Sequence, residues 1–197
     1  MESKTLIFIG PQGSGKGTQV DLLKEKIAKL DPERFINHVQ TGKPFRELAA
    51  AGGYTADVVK KLIDNGKLVP DVLTNAFVIK EFVDQHVEGA HILLDGYPRN
   101  EAQAIACNEL FALYGREKID VIHLDTEESV VIERMLERGR EDDTEVAIAE
   151  RLRKYREVTE PLLDFYRQDK NATVHVIDGG QDIEEVQKAL CEALNIN

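Results

Sequence analysis

The chain has 197 residues and a formal net charge of −11, with 42% hydrophobic and 31% charged residues. This composition is typical of one globular domain over 1–197, and the acidic charge argues against nucleic-acid or membrane-surface partners. No apolar run approaches the roughly 20 residues that cross a bilayer. Cys107 and Cys191 lie far apart without metal-ligand spacing, as is usual in a reducing compartment. We therefore expect a cytoplasmic protein.

Apolar, β-prone runs alternate with helical patterns along the chain. The runs predict strands at 5–9, 38–40, 91–94, 121–124 and 173–177. The helical patterns predict helices at 16–30, 72–85, 102–114, 129–138, 145–168 and 183–194. This alternation indicates an α/β fold, in which helices cover both faces of a parallel five-stranded sheet. The segment 41–70 interrupts the alternation with two short helical patterns, and we expect a small helical flap there.

The stretch "LIFIGPQGSGKGTQV", residues 6–20, joins a predicted strand to a predicted helix through a glycine-rich loop. Gly10, Gly13 and Gly15 expose backbone N–H groups, and the helix adds the partial positive charge of its N-terminus. Lys16 supplies a point charge among them. The pattern predicts a nucleotide site in which the amides wrap the β-phosphate and Lys16 reaches between the β- and γ-phosphates.

This loop, "GPQGSGKGTQ", resembles the phosphate loop of nucleoside monophosphate kinases, and of adenylate kinases in particular. It differs at its outer edge, where Gln12 stands in place of the family's proline. The resemblance covers about residues 5–194, with the motifs in family order. It implies transfer of the γ-phosphoryl group of MgATP to AMP, with Mg²⁺ as cofactor and Thr18 as one candidate ligand of the ion. The implied ATP-binding residues of the loop are Gly13, Ser14, Gly15, Lys16, Gly17 and Thr18.

The stretch "HILLDGYPRNEAQ" places Asp95 at the end of an apolar strand, where a carboxylate faces the crevice above the sheet. Beside a phosphate loop, Asp95 is predicted to hold Mg²⁺ directly or through water. The stretch is similar to the Asp-Gly-Phe-Pro-Arg motif of adenylate kinases, with Tyr97 in place of phenylalanine. The resemblance implies that Gly96 lies at the AMP site, that Arg99 contacts the AMP phosphate and that Gln103 contacts the adenine.

The stretch "QTGKPFREL" resembles the AMP-binding flap of the same family. The resemblance implies that Thr41 contacts the base, that Gly42 lies beside it and that Arg46 contacts the acceptor phosphate. Pyrimidine-specific relatives tend to carry alanine in place of Thr41, which favours AMP as the acceptor. The segment "NGKLVPDVLT" resembles the family's Gly-x-Leu-Val segment. It places three more residues beside the adenine: Lys67, Leu68 and Val69.

The stretch "ERMLERGREDDTEVAIAERLRKY" concentrates arginines. Arg134 and Arg138 are four residues apart on a predicted helix and share a face, and only Gly139 separates Arg138 from Arg140. The stretch resembles the family's lid region, which implies that Arg134 or Arg138 covers ATP. Arg140 and Arg151 then reach the transferred phosphoryl group and AMP. Alternatively, these arginines pair with neighbouring carboxylates on a solvated face.

The lid is the largest departure from the family, because long members insert a separate domain between these arginines and this chain has a minimal turn at 138–144. Asp142 and Asp143 match acidic positions that orient the arginines. Since lid closure excludes water, either the flap or a second subunit is expected to cover the site, which makes a homo-oligomer possible. Near the C-terminus, the backbone of Gln181 matches a contact to the ATP base.

The predicted reaction needs no general base, since an AMP phosphate oxygen is already ionised at neutral pH. The protein then supplies positioning and charge. Two alternatives remain open: a kinase for UMP, CMP or another monophosphate, and a nucleotide-dependent switch or regulator. The sequence lacks the Asn-Lys-x-Asp motif of a guanine-specific switch. The predicted catalytic residues are Lys16, Arg99, Arg134, Arg138, Arg140 and Arg151.

Overall fold

The computed structural model describes residues 1–196 and contains a parallel five-stranded sheet, as predicted. Its strands are β1 (Thr5–Ile9), β2 (Ile36–Gln40), β3 (His91–Asp95), β4 (Ile119–Asp125) and β5 (Ala172–Asp178). They are arranged in the order β2-β3-β1-β4-β5. The central strand β1 therefore has β3 on one side and β4 on the other. The connection from β1 leads to β2 and the connection from β3 leads to β4, so the chain leaves these two neighbouring strands in opposite directions. A crevice opens at the carboxyl ends of strands at such a point.

Helices cover both faces of this sheet, so the inner strands are apolar without alternation. The helices are α1 (Lys16–Leu30), α2 (Gly42–Ala50), α3 (Tyr54–Asp64), α4 (Asp71–Gln85), α5 (Glu101–Leu113), α6 (Glu128–Arg138), α7 (Glu145–Lys154), α8 (Leu162–Gln168) and α9 (Ile183–Ala193). One core cluster packs α1 and α9 against one face of the sheet. A second packs α4, α5 and α8 against the other face. The strand β1 is buried along its whole length.

The predicted helix over 145–168 is wrong, because the structure divides this region into α7, a π-helical turn and α8. The turn covers Tyr155–Thr159, and the amide of Glu160 donates to the carbonyl of Tyr155 at 2.8 Å. Pro161 follows immediately and has no N–H to donate, and its ring crowds the carbonyl four residues before it. The backbone widens ahead of this proline, and α8 begins after it.

The segment 41–70 contains the two helices that its sequence pattern predicted, α2 and α3. Gly52 and Gly53 join them with positive φ angles of 78° and 98°. Phe45 of α2 packs on Phe77 of α4, with ring centroids 5.6 Å apart, and this contact places α2 beside the crevice. None of the helices among residues 1–196 is long and apolar enough to cross a membrane.

Candidate active site

A cleft of about 650 Å³ opens at the carboxyl ends of β1 and β3 and brings together nearly all of the predicted site residues. Two of them lie outside its lining: Ser14 is buried beneath the loop, and Gln181 is exposed on the turn between β5 and α9. The predicted residues that line the cleft are Gly13, Gly15, Lys16, Gly17, Thr18, Thr41, Gly42, Arg46, Lys67, Leu68, Val69, Asp95, Gly96, Arg99, Gln103, Arg134, Arg138, Arg140 and Arg151.

The glycine-rich loop forms one wall of the cleft, between the end of β1 and the start of α1. Gly13 and Gly15 have φ angles of 94° and 93°, a left-handed conformation that glycine adopts without steric cost. The ammonium group of Lys16 lies inside the loop, with Nζ 2.7 Å from the carbonyl oxygen of Gly10 and 2.8 Å from that of Pro11. The loop therefore has the shape of a phosphate cradle with a cation at its mouth.

The environment of Lys16 makes its charge sensitive to an anion. Burial lowers the pKa of Lys16 to about 8, while the carboxylate of Asp95 acts in the opposite direction. The nearby guanidinium groups of Arg99 and Arg138 lower this pKa further. A phosphate group in the loop would stabilise the ammonium form and raise the pKa again. The loop thus gains electrostatically from a phosphate ligand.

Asp95 and Thr18 form a candidate magnesium site beside the loop. Both line the cleft, and a Cβ atom placed on Gly17 would lie 3.8 Å from Oδ2 of Asp95, so this carboxylate faces the loop. Across residues 1–196, no cluster of three histidine, cysteine or acidic side chains could hold a metal alone. One carboxylate and one hydroxyl nevertheless suit Mg²⁺, which keeps several waters and takes oxygen ligands from substrate phosphates. The donor set fits this ion.

The opposite wall of the cleft is organised around the carbonyl oxygen of Gly96. It accepts hydrogen bonds from Nε of Arg99 at 2.7 Å and from Oγ1 of Thr41 at 2.8 Å. Gly96 has a φ of 77°, and a Cβ atom there would lie 3.1 Å from both the Arg99 guanidinium and the Thr41 hydroxyl. Burial lowers the pKa of Arg99, and the charges of Arg151 and Arg46 lower it further. This group of desolvated cations favours a bound anion.

Gln103 is held in one orientation by partners on both sides of its amide. Its Oε1 accepts from the backbone N–H of Arg99 at 2.8 Å, and its Nε2 donates to Oδ1 of Asp71 at 2.8 Å. Sequence reasoning missed Asp71, whose place in the first turn of α4 is typical of an acidic residue near a helix N-terminus. Asp71 also accepts from Asn100, so it fixes the start of α5 beside the cleft.

Arg138 at the end of α6 and Arg151 in α7 belong to an ion-pair network with buried carboxylates instead of a solvated face. Asp143 accepts from Nε and Nη2 of Arg138 at 2.9 and 2.8 Å and from Nη1 of Arg151 at 2.7 Å. Arg151 also pairs with Asp142. Burial alone would raise the pKa of Asp143, but its hydrogen bonds from the two arginines outweigh this effect and lower the pKa. Asp143 therefore holds both guanidinium groups, and Asp142 holds that of Arg151 as well.

Arg134 and Arg140 differ in how much of their hydrogen-bonding capacity is already used. Arg134 donates to the carbonyl of Gly179 at 2.7 Å and to that of Gln181 at 3.4 Å, so it ties α6 to the turn after β5. Arg140 lines the cleft, and its guanidinium makes no hydrogen bond or ion pair to residues 1–196. Burial and the charges of Arg138 and Arg46 lower the pKa of Arg140. Arg140 is therefore available to an anionic ligand.

The flap contacts the network from the other side of the cleft. The carbonyl of Ile63 in α3 accepts from Nη2 of Arg151 at 3.4 Å. Gly66 has a φ of 67° and lies so close to α7 that a Cβ atom would overlap the carbonyl of Ala147. The flap and the arginine network thus meet directly in this structure.

Several cleft residues were missed by sequence reasoning. Oε1 of Gln12 is buried and has no hydrogen-bond partner within residues 1–196. Gln12 stands where the family has proline, but the sequence pattern predicted no function for it. Tyr155 and Thr159 lie in the π turn, which the helical pattern gave no means to predict. The other missed residues of the lining include Asp21, Gln40, Lys43, Phe45 and Lys154.

Comparison with known proteins gives a consistent result over nearly the whole chain. Residues 8–171 match the family model described as adenylate kinase. The chain is 36% identical over 196 residues to an adenylate kinase of Leuconostoc mesenteroides, covering 99% of this chain and 100% of that protein. It is 38% identical to adenylate kinase 1 of Synechocystis, covering 93% of each chain. An adenylate kinase of Thermobifida fusca is also 38% identical, over 96% of this chain and 97% of that protein.

Proposed function

Because the chain belongs to the adenylate kinase family, we propose that it transfers the γ-phosphoryl group of MgATP to AMP and forms two ADP. The observation that carries this proposal is a single cleft with the phosphate loop on one wall and Arg99, Arg46 and Thr41 on the other. Two facing phosphate chains require cations on both walls. A protein of net charge −11 that nevertheless places six arginines on this cleft has a site matched to that need.

On the donor wall, the loop amides would bind the β-phosphate of ATP at the N-terminus of α1. Lys16 would leave the carbonyls of Gly10 and Pro11 and reach the γ-phosphate, whose charge keeps the lysine protonated. The backbone of Gln181 would contact the ATP base, and its hydrogen bond from Arg134, which lines the cleft, supports this assignment.

Asp95 and Thr18 would hold Mg²⁺ beside the phosphate loop. The bound ion supplies positive charge that offsets the charge of the ATP phosphates. Asp95 also acts without it, because its carboxylate favours the protonated form of Lys16.

On the acceptor wall, Arg99 and Arg46 would bind the AMP phosphate and turn one ionised oxygen toward the γ-phosphorus. This oxygen is the nucleophile, so no side chain has to remove a proton. Thr41 and Gln103 would lie at the adenine, with Gly96 holding Thr41 and Arg99 in register. Backbone and side chains of the flap complete the base site: Gly42, Lys67, Leu68 and Val69.

Charge that develops on the transferred phosphoryl group would be stabilised by Arg138, Arg140 and Arg151. Fixed guanidinium groups suit this task because their charge and planar geometry need no reorganisation during transfer. Asp143 holds Arg138 and Arg151 in advance, while the unpaired Arg140 contributes on binding.

We further propose that the flap, more than the short turn at 138–144, excludes water. The contacts from Ile63 to Arg151 and from Gly66 to α7 support this assignment. Such contacts would close the acceptor side of the cleft against water. A cytoplasmic location is supported by the two cysteines, which are both free and buried.

A kinase for UMP or CMP is the closest alternative. The turnover of purified protein with MgATP and a panel of monophosphates (AMP, UMP, CMP, GMP) separates it from the proposal, with a reaction lacking any acceptor as control. We expect AMP to give the highest kcat/KM by at least tenfold and the control to release phosphate slowly. Equal turnover with UMP, or phosphate release that does not depend on an acceptor, would contradict the proposal.

A further inference from the structure

The π turn between α7 and α8 carries two side chains that line the cleft, those of Tyr155 and Thr159. Arg151 in α7 lines the cleft as well. π turns inserted in helices occur frequently at functional sites, which raises the question of what this one holds in place.

Hydrogen bonds tie the two ends of the turn to different segments of the site. Oγ1 of Thr159 donates to the backbone carbonyl of Arg99 at 2.9 Å, and Thr159 is only 9% exposed. Oη of Tyr155 lies 2.9 Å from Nε2 of His123 on β4, and His123 is 6% exposed. The turn therefore bridges β4 and the loop between β3 and α5.

Arg99 lies in that loop and depends on neighbours for its position. Its Nε donates to Gly96 and its backbone N–H donates to Gln103, and both partners belong to the same short segment. Of the hydrogen bonds made by Arg99 within residues 1–196, the bond from Thr159 alone comes from a distant part of the chain, 60 residues away. Thr41 holds the start of this segment through Gly96, and Asp71 holds its end through Asn100 and Gln103. The bond from Thr159 adds a direct link from the π turn to Arg99 itself.

We propose that Thr159 is a positioning residue that aims Arg99 at the acceptor phosphate, and that the His123–Tyr155 hydrogen bond holds the π turn in the register this requires. The inference rests on the proposed function, in which Arg99 binds the AMP phosphate. A displacement of a positioning group by about 1 Å can lower the rate roughly 100-fold. Loss of the Thr159 hydroxyl should accordingly impair the kinetics with AMP more than the binding of ATP.

The test compares Thr159→Val, which keeps the shape and removes the hydroxyl, with Thr159→Ser, which keeps the hydroxyl. We expect Thr159→Val to raise the KM for AMP and lower kcat, with kcat/KM for AMP falling 10- to 100-fold and the KM for ATP within twofold of wild type. Thr159→Ser should restore most of the loss. Thr5→Val is the matched control, because it removes a buried hydroxyl that accepts from Arg116 at 3.0 Å outside the cleft.

Tyr155→Phe provides a second measurement if Thr159→Val does not fold, since it removes only the hydroxyl that meets His123. We expect Tyr155→Phe to raise the KM for AMP and to lower kcat/KM for AMP by about three- to tenfold, again with little change in the KM for ATP. An unchanged KM for AMP in either folded variant, equal losses for ATP and AMP, or no rescue by Thr159→Ser would overturn the inference. Wild-type turnover is measured first. If the wild type does not use AMP at all, the proposed function fails, and this inference fails with it.

Discussion

The two walls of the cleft are built in different ways. The donor wall comes from one contiguous stretch, in which Gly10, Gly13, Gly15 and Lys16 occupy a single turn between β1 and α1. The acceptor wall is assembled from α2, the loop after β3, the turn before α7 and the π turn after it. Local backbone geometry therefore determines the first wall, whereas long-range hydrogen bonds and ion pairs determine the second. Substitutions on the two walls should fail in different ways.

The largest expected loss of kcat/KM follows a substitution on the donor wall. Lys16→Ala should lower kcat/KM about 10³-fold, a loss of roughly 4 kcal/mol of transition-state stabilisation, with little change in thermal stability because the loop backbone remains. Steady-state kinetics and a thermal melt check this. Lys118→Ala, at a side chain that is 86% exposed, is the control. Near-normal turnover in folded Lys16→Ala would remove this residue from the mechanism.

Substitutions on the acceptor wall should instead lower the activity and the stability of the protein together. Asp143→Asn removes a buried carboxylate that two arginines share, and breaking such a pair costs about 3 kcal/mol of unfolding free energy. We expect kcat to fall about 100-fold as Arg138 and Arg151 lose their orientation.

Chemical denaturation and kinetics of the same sample separate the two quantities. Asp164→Asn, which changes charge equally at an exposed ion pair, should alter neither by much. An Asp143→Asn protein of wild-type stability would show that the network is not structural.

A smaller effect is expected at the base site. Thr41→Ala removes a hydroxyl that donates to Gly96 at 2.8 Å and should reduce the preference for AMP over CMP and UMP about tenfold, or roughly 1.4 kcal/mol. The KM for ATP should change less than the KM for AMP. Competition between acceptors measures the ratio, and unchanged selectivity would exclude Thr41 from base recognition.

The predictability of the site follows the same division between the walls. The strand β1 and the helix α1 begin and end where the sequence predicts, since an apolar run, a glycine loop and a lysine encode them locally. The link from Asp71 to Gln103 spans 32 residues and leaves no local pattern. The place of Tyr155 and Thr159 at the site could not be predicted, because the apolar spacing across them fits an α-helix. The π turn depends on Pro161 and on contacts with distant segments.

The smallest effect concerns protons at Lys16. Because burial lowers the pKa of Lys16 to about 8 in the free protein, deprotonated Lys16 is more abundant at pH 8.5 than at pH 7. Bound ATP would raise this pKa, so we expect net uptake of a fraction of a proton at pH 8.5 and much less at pH 7. Titration calorimetry in buffers of different ionisation enthalpy measures it. Lys16→Arg should abolish the uptake, and an uptake that persists would assign it to another group.

The central claim is that the two walls hold their nucleotides face to face and pass the phosphoryl group directly. The most direct measurement uses ATP labelled with radioactive phosphorus in the γ position, with and without AMP. With AMP, we expect the label to move to the β position of newly formed ADP, two ADP to appear per ATP consumed and no label to stay on the protein. Label recovered on the protein, or released as free phosphate at the same rate without AMP, would contradict it.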